Sequence, residues 1–197
     1  MRNKIDKNLI EKAIKGETKA FSEIYSALRG AIYGFSARML ADFTVAEDVT
    51  LEVFVFFIQN PHKYDVERGE LLSFLCGVAR NRILHRLRKD QLQIEILHED
   101  LEGFDEPIDL INCNPLKSLL AAEFFKKVED GIAKLPLLQR EVLILREIEE
   151  LSYEEIAQIT ETQVSAVKSR LHRARRNLAR ELAPYLSPNE EKNYEVC

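Results

Sequence analysis

Between positions 168 and 180 the chain sets Lys168, Arg170, Arg173, Arg175, Arg176 and Arg180 with no acidic residue among them. On a helix, Lys168, Ser169, His172, Arg173 and Arg176 fall about one turn apart on a single face. Such a row neutralises phosphates with its cations and offers donors and acceptors to base edges, the chemistry of duplex recognition. A solvated basic helix face is the competing reading. A second basic run holds Arg80, Arg82, Arg86, Arg88 and Lys89, with Asn81 and His85 interleaved. Tyr64 and Phe74 lie nearby and could stack on unpaired bases. Phe74 sits at helical spacing and is expected inside; Tyr64, in a loop, is left open.

Little else in the chain suggests covalent chemistry. Cys76, Cys113 and Cys197 share no metal-ligand spacing, and His62, His85, His98 and His172 are scattered. No H-E-x-x-H, Walker glycine loop or G-x-S-x-G is present. The expectation is a non-enzyme with no cofactor and no metal site. Cys76, in an apolar helical stretch, reads as a small buried hydrophobe. No apolar run approaches the roughly 20 residues of a membrane span. The first residues are polar, unlike a signal peptide, so the expected location is cytoplasmic.

The net charge of −5 argues, taken alone, against an autonomous nucleic-acid binder. The charges are segregated, however, and they divide the chain. Residues 1–89 end in the Arg80–Lys89 run. Residues 90–115 carry Asp90, Glu95, Glu99, Asp100, Glu102, Asp105, Glu106 and Asp109 without a Lys or Arg, and read as an acidic linker. Residues 116–186 form a second basic helical block, and 187–197 a short polar tail.

Few glycines and prolines and repeated 3.6-residue periodicity predict an all-α protein of two small helical domains. Phe21, Ile24, Tyr25, Leu28, Ile32, Phe35 and Met39 mark one amphipathic helix. Thr44 and Glu47 read as a capping box opening a second, with Val45, Val49, Val53, Phe54 and Phe57, ended by Asn60-Pro61. Leu71 to Leu87 form a third. In the second block, Leu116–Lys134 and Leu137–Glu147 are amphipathic around Pro136. Ser152 and Glu155 form another capping box, and a long helix carries Val164, Val167, Leu171, Ala174 and Leu178. Ser152–Thr160 followed by Thr162–Arg180 is a helix-turn-helix pattern, with Ile156, Ala157 and Ile159 facing Val164, Val167 and Leu171.

The segments Ala46-Glu-Asp-Val-Thr-Leu-Glu-Val-Phe54, Asn60-Pro-His-Lys-Tyr-Asp-Val-Glu-Arg-Gly69 and Phe74-Leu-Cys-Gly-Val-Ala-Arg-Asn-Arg-Ile83 resemble region 2 of RNA polymerase sigma factors of the extracytoplasmic-function (ECF) type. Leu135-Pro-Leu-Leu-Gln-Arg-Glu-Val-Leu143, Ser152-Tyr-Glu-Glu-Ile-Ala157 and Val167-Lys-Ser-Arg-Leu-His-Arg-Ala-Arg175 resemble region 4. The resemblance runs from about Ala20 to Leu182.

The resemblance implies a transcription initiation factor that binds core RNA polymerase and promoter DNA, usually under control of an anti-sigma factor. Polymerase clamp contacts map to Glu47, Asp48, Val49, Glu52, Val53 and Phe54. Contacts to the −10 element map to Lys63, Tyr64, Arg80, Asn81, His85 and Arg88. Contacts to the −35 element map to Lys168, Ser169, His172, Arg173 and Arg176, and region 4 also meets the β flap. The linker would thread the RNA channel; a solvated tether accounts for its composition equally well. Leu51 and Ile58 stand where the family often has Gln and Trp, and Phe56 where it has a polar residue. Glu161 replaces the usual glycine of the helix-turn-helix turn, where a left-handed backbone would cost about 1 kcal/mol. A stand-alone helix-turn-helix regulator is the alternative, and a partner-binding adaptor a more distant one.

Overall fold

The computed structural model describes residues 5–67, 69–89 and 118–186. The expected linker at 90–115 and the tail at 187–197 lie outside these residues, as do Cys113, Cys197 and His98. Eight α-helices and no strand occur among the described residues.

Helix α1 (Lys7–Ile14) begins at Asp6, whose carboxylate accepts from Asn8 N at 2.7 Å. Its Ile10 is buried, and Ile5, Leu9, Ala13 and Ile14 pack beside it at helical spacing. Helix α2 (Thr18–Leu40) buries Ile24, Leu28, Ile32, Phe35 and Met39, as its periodicity predicts. It stops at Ala41, held left-handed at φ 55°.

Helix α3 (Phe43–Gln59) is capped by Asp42, not by the Thr44–Glu47 box. Asp42 Oδ1 accepts from Thr44 N and Val45 N at 2.9 and 3.0 Å, so those orphan donors are already satisfied when Thr44 is reached. Asn60-Pro61 ends the helix, and a 3₁₀ turn, Pro61–Lys63, leads toward α4 (Leu71–Lys89).

In the second half, α5 (Ser118–Lys134) is followed by α6 (Leu137–Leu143), with Pro136 at its N-cap. The expected regular helix to Glu147 widens instead into a π turn, Ile144–Ile148, with Glu149 N donating back to Ile144 O at 3.1 Å. Helix α7 (Tyr153–Thr160) opens with the predicted box: Glu155 N donates to Ser152 Oγ at 3.2 Å, and Ser152 N to Glu155 Oε2 at 2.8 Å. Helix α8 (Val164–Leu186) closes the described chain.

The buried apolar residues of both halves form one continuous cluster, from Ile10 through Ile83 to Ala174. Polar contacts also join the halves. Arg38 pairs with Glu129 at 2.8 Å, Ser73 Oγ donates to Glu155 Oε1 at 2.5 Å, and Arg140 Nη1 donates to Met39 O at 3.2 Å. Between α4 and α6, Arg80 Nε donates to Glu141 Oε2 at 2.8 Å, with the glutamate side chain wholly out of solvent.

Candidate nucleic-acid interface

Helix α8 is set by its apolar side. Val167, Leu171 and Ala174 are buried with Ile156, Ala157 and Ile159 of α7, which fixes the helix-turn-helix angle. The turn passes through Glu161 at φ 54° and ψ 42°, the left-handed conformation its missing glycine predicts. Thr162 N donates to Ala157 O at 3.0 Å and closes the end of α7.

This packing leaves the opposite side of α8 outward. Lys168 and Arg176 are exposed, and Ser169, His172 and Arg173 half-buried, along the row that the spacing predicts. Lys168 Nζ lies 5.4 Å from the Tyr153 ring centroid, and the Arg146 guanidinium lies 4.7 Å from the same ring. The aromatic face thus gathers two cations beside the row.

The region 2 candidates divide. Asn81, His85 and Arg88 are exposed at i, i+4 and i+7 on α4, one polar stripe. Lys63 is exposed, with its ammonium 5.0 Å from the Phe56 ring, and Arg82 approaches that ring at 5.7 Å. Tyr64 and Arg80 are not on this surface. Tyr64 packs edge-on to Phe57 and tilted against Phe74, and its hydroxyl donates to Gly69 O at 3.1 Å. Burial pushes its hydroxyl pKa up, with Glu70 and Asp65 adding to the effect. The loop fits the core because its one aromatic completes a cluster that a polar loop could not. Arg80 is 8% exposed and held by Glu141.

The clamp candidates divide as well. Glu47 and Asp48 are exposed, whereas Val49, Val53 and Phe54 are core residues. Glu52 takes Arg86 at 2.5 Å and Arg82 at 4.0 Å. The outward apolar positions of α3 are Leu51, Val55 and Ile58, at 59, 39 and 54% exposure. Their i, i+4, i+7 spacing was visible in the sequence, but the near-continuous apolar run of α3 hid which side faces in.

Two carboxylates of the second half have raised pKa values. Burial dominates at Glu141, opposed by Arg80 and then Arg170. Burial also lifts Glu149 to about 7 against the attraction of Arg38. Among the described residues no group of side chains could hold a metal ion, and no helix is long and apolar enough to cross a membrane.

Comparison with known proteins places this geometry. Residues 24–93 match the Sigma-70 region 2 family and residues 125–178 the Sigma-70, region 4 family. The chain is 30% identical to the ECF RNA polymerase sigma factor SigW of Bacillus subtilis, over 89% of its own length and 96% of the relative's. The chain belongs to the ECF RNA polymerase sigma factors. It is also 30% identical to the RNA polymerase sigma-H factor of Pseudomonas aeruginosa, over 92% of this chain and 95% of that one. Two solved structures share the fold of this sigma factor. One is the sigma factor RpoE with the anti-sigma factor NepR from Bartonella quintana (TM-score 0.63, 20% identity, 84% of this chain and 98% of that one). The other is CnrH with the cytosolic domain of CnrY (TM-score 0.66, 21% identity, 92% and 99%). The first half of this sigma factor matches region 2, where a stand-alone regulator would carry a receiver or ligand domain. That alternative is not favoured.

Proposed function

We propose that this sigma factor divides promoter recognition between α8 and α4, and docks on polymerase through the outward side of α3. It binds core RNA polymerase and directs it to promoters, and its part is recognition, with nucleotide chemistry left to the core enzyme. Residues 1–89 serve as the region 2 domain and 116–186 as the region 4 domain. Lys168, Ser169, His172, Arg173 and Arg176 address the −35 duplex, the cations taking phosphates and the row as a whole reading base edges. Asn81, His85 and Arg88, with Lys63 beside them, engage the −10 strand as it opens. Asn81 both donates to and accepts from an exposed base edge, and Arg88 neutralises phosphate. Glu47, Asp48, Leu51, Val55 and Ile58 form the polymerase-facing stripe, an apolar centre with an acidic border.

One neighbouring fold, RpoE, was solved with an anti-sigma factor, and a partner of that kind is proposed here. The supporting observation is the outward basic row on α8, held by a capped α7 in a chain of this family. Run-off transcription with core polymerase on a genomic promoter library tests the reading. New start sites appear with the wild-type chain and are lost from the K168A/R173A/R176A variant. A chain that binds no core polymerase and creates no start site overturns it.

A further inference from the structure

We infer that Phe56, flanked by Lys63 and Arg82, is a stacking platform for one unpaired base of the opened promoter strand. The inference rests on the reading of α4 as the −10 helix and adds to it a contact made through the face of a base.

Phe56 is placed unlike its neighbours on α3. Phe54 and Phe57 are buried and meet other rings, Tyr25 at 4.8 Å and Tyr64 at 6.4 Å between centroids. Phe56 is half-buried, lies outside the core cluster, and makes no ring pair among the described residues. Charge covers it instead. The Lys63 ammonium lies 5.0 Å from its ring centroid and the Arg82 guanidinium 5.7 Å. One turn earlier on the same edge of α3, Glu52 takes Arg86 at 2.5 Å and reaches Arg82 only at 4.0 Å. Glu52 therefore answers only part of the positive charge beside the ring.

A phenyl ring kept off the core under two long cations adds little to stability. An exposed cation–π contact is weak, and ordering two such side chains costs entropy. Lys63 and Arg82 are both exposed, Arg82 with 45% of its side chain accessible, so either can swing off the ring. An unpaired base supplies a flat π-face for the ring and a phosphate for the displaced cation. Single-strand binders hold bases with this combination of aromatic ring and positive charge. A base inside a duplex is stacked on its neighbours and cannot present its face, so the platform selects the opened strand. Its location agrees. Arg82 follows Asn81 on α4, and Lys63 is itself a −10 candidate, so the ring borders the stripe Asn81, His85 and Arg88. Every base has a π-face, so Phe56 adds strand affinity without choosing sequence, and base edges are left to Asn81. The family resemblance puts a polar residue at this position, which makes the platform a property of this chain.

Photocrosslinking in the holoenzyme tests the platform. A promoter recovered by the run-off assay carries 5-iododeoxyuridine at one non-template position at a time, a base whose photolysis joins it to an aromatic ring stacked on it. Peptide mapping places one of these crosslinks on Phe56. Holoenzyme affinity for a probe unpaired across the −10 element falls about five- to twentyfold in Phe56→Ala and in Phe56→Leu, which keeps apolar bulk without a π-face. Phe56→Tyr keeps the ring and stays within about twofold of wild type, whichever base occupies the crosslinked position. Affinity for core polymerase and for fully paired probe changes less than about twofold in every variant, and helical circular dichroism is kept, because the ring lies off the core. Start sites without any crosslink to Phe56 overturn the platform and leave the functional reading standing, whereas a chain that makes no start site takes both down. A Phe56→Leu chain of wild-type affinity also overturns it. So does an equal loss of core polymerase affinity, which would make the ring a polymerase contact.

Discussion

Glu147 on the π turn holds Arg175 of α8, whose Nε and Nη2 donate to the same Oε1 at 3.0 and 2.5 Å. The pair is about half exposed and adds little stability. Its consequence is electrostatic: Arg175 is already neutralised, whereas its neighbour Arg176 projects from the DNA-facing row. Arg176→Ala should weaken holoenzyme binding to promoter duplex about five- to tenfold and lower the salt slope by about 1. Arg175→Ala should change affinity less than about twofold and leave the slope in place. Equal effects from the two substitutions would mean that the Glu147 pair does not survive on DNA.

Glu149 supplies a pH dependence. Burial raises its pKa from 4.5 to about 7, so the folded chain favours the protonated acid. Its ionisation opposes folding: the penalty is absent below pH 4.5, grows between 4.5 and 7, and is constant above. Glu149→Gln should therefore stabilise the protein above pH 7 by at most about 3 kcal/mol, with Arg38 attraction already counted in that limit. The gain should vanish near pH 4.5, where wild type is itself neutral at this position. Urea midpoints across pH 4.5–8 measure it, and a gain that persists at the acid end would locate the effect elsewhere.

The helices were legible because each carries its own period. Ile24 to Met39 and Val167 to Ala174 place the core sides of α2 and α8 without any tertiary information. The basic row of α8 was legible for the same reason, since a buried side at 167, 171 and 174 forces 168 and 176 outward. Helix α3 defeated this logic. Apolar residues surround it, so Val49, Val53 and Phe54 looked as available as Leu51, Val55 and Ile58. Arg80 was illegible for another reason. Its partner Glu141 lies far along the chain, and no local pattern announces a buried pair across two halves.

Tyr64 is a core residue in a loop, which gives it a stability role separable from DNA contact. Removing the ring in Tyr64→Ala should cost about 3 kcal/mol, since Phe57 and Phe74 lose an aromatic neighbour. Tyr64→Phe removes only the hydrogen bond to Gly69 O and should cost about 1 kcal/mol. Denaturant titration reads both. Transcription by the Tyr64→Phe chain should stay within about twofold of wild type, given that loss of one hydroxyl hydrogen bond leaves the fold standing. A selective loss of −10 strand affinity in that variant would instead put the hydroxyl at the DNA.

Glu161 sits at the turn of the helix-turn-helix with φ 54°, where a β-carbon strains the backbone. Glycine would relieve the strain but loses more conformational freedom on folding, so the two effects partly cancel. Glu161→Gly should still gain about 0.5–1 kcal/mol, because αL strain of roughly 1–2 kcal/mol exceeds the entropic loss. Glu161→Ala keeps the β-carbon and separates strain from charge: it should gain nothing. The comparison of the two midpoints decides the matter. Equal stabilisation by both would assign the gain to removing a carboxylate from the C-terminal end of α7, where the helix dipole disfavours negative charge, and a loss in the glycine variant would show that the turn is not left-handed in solution.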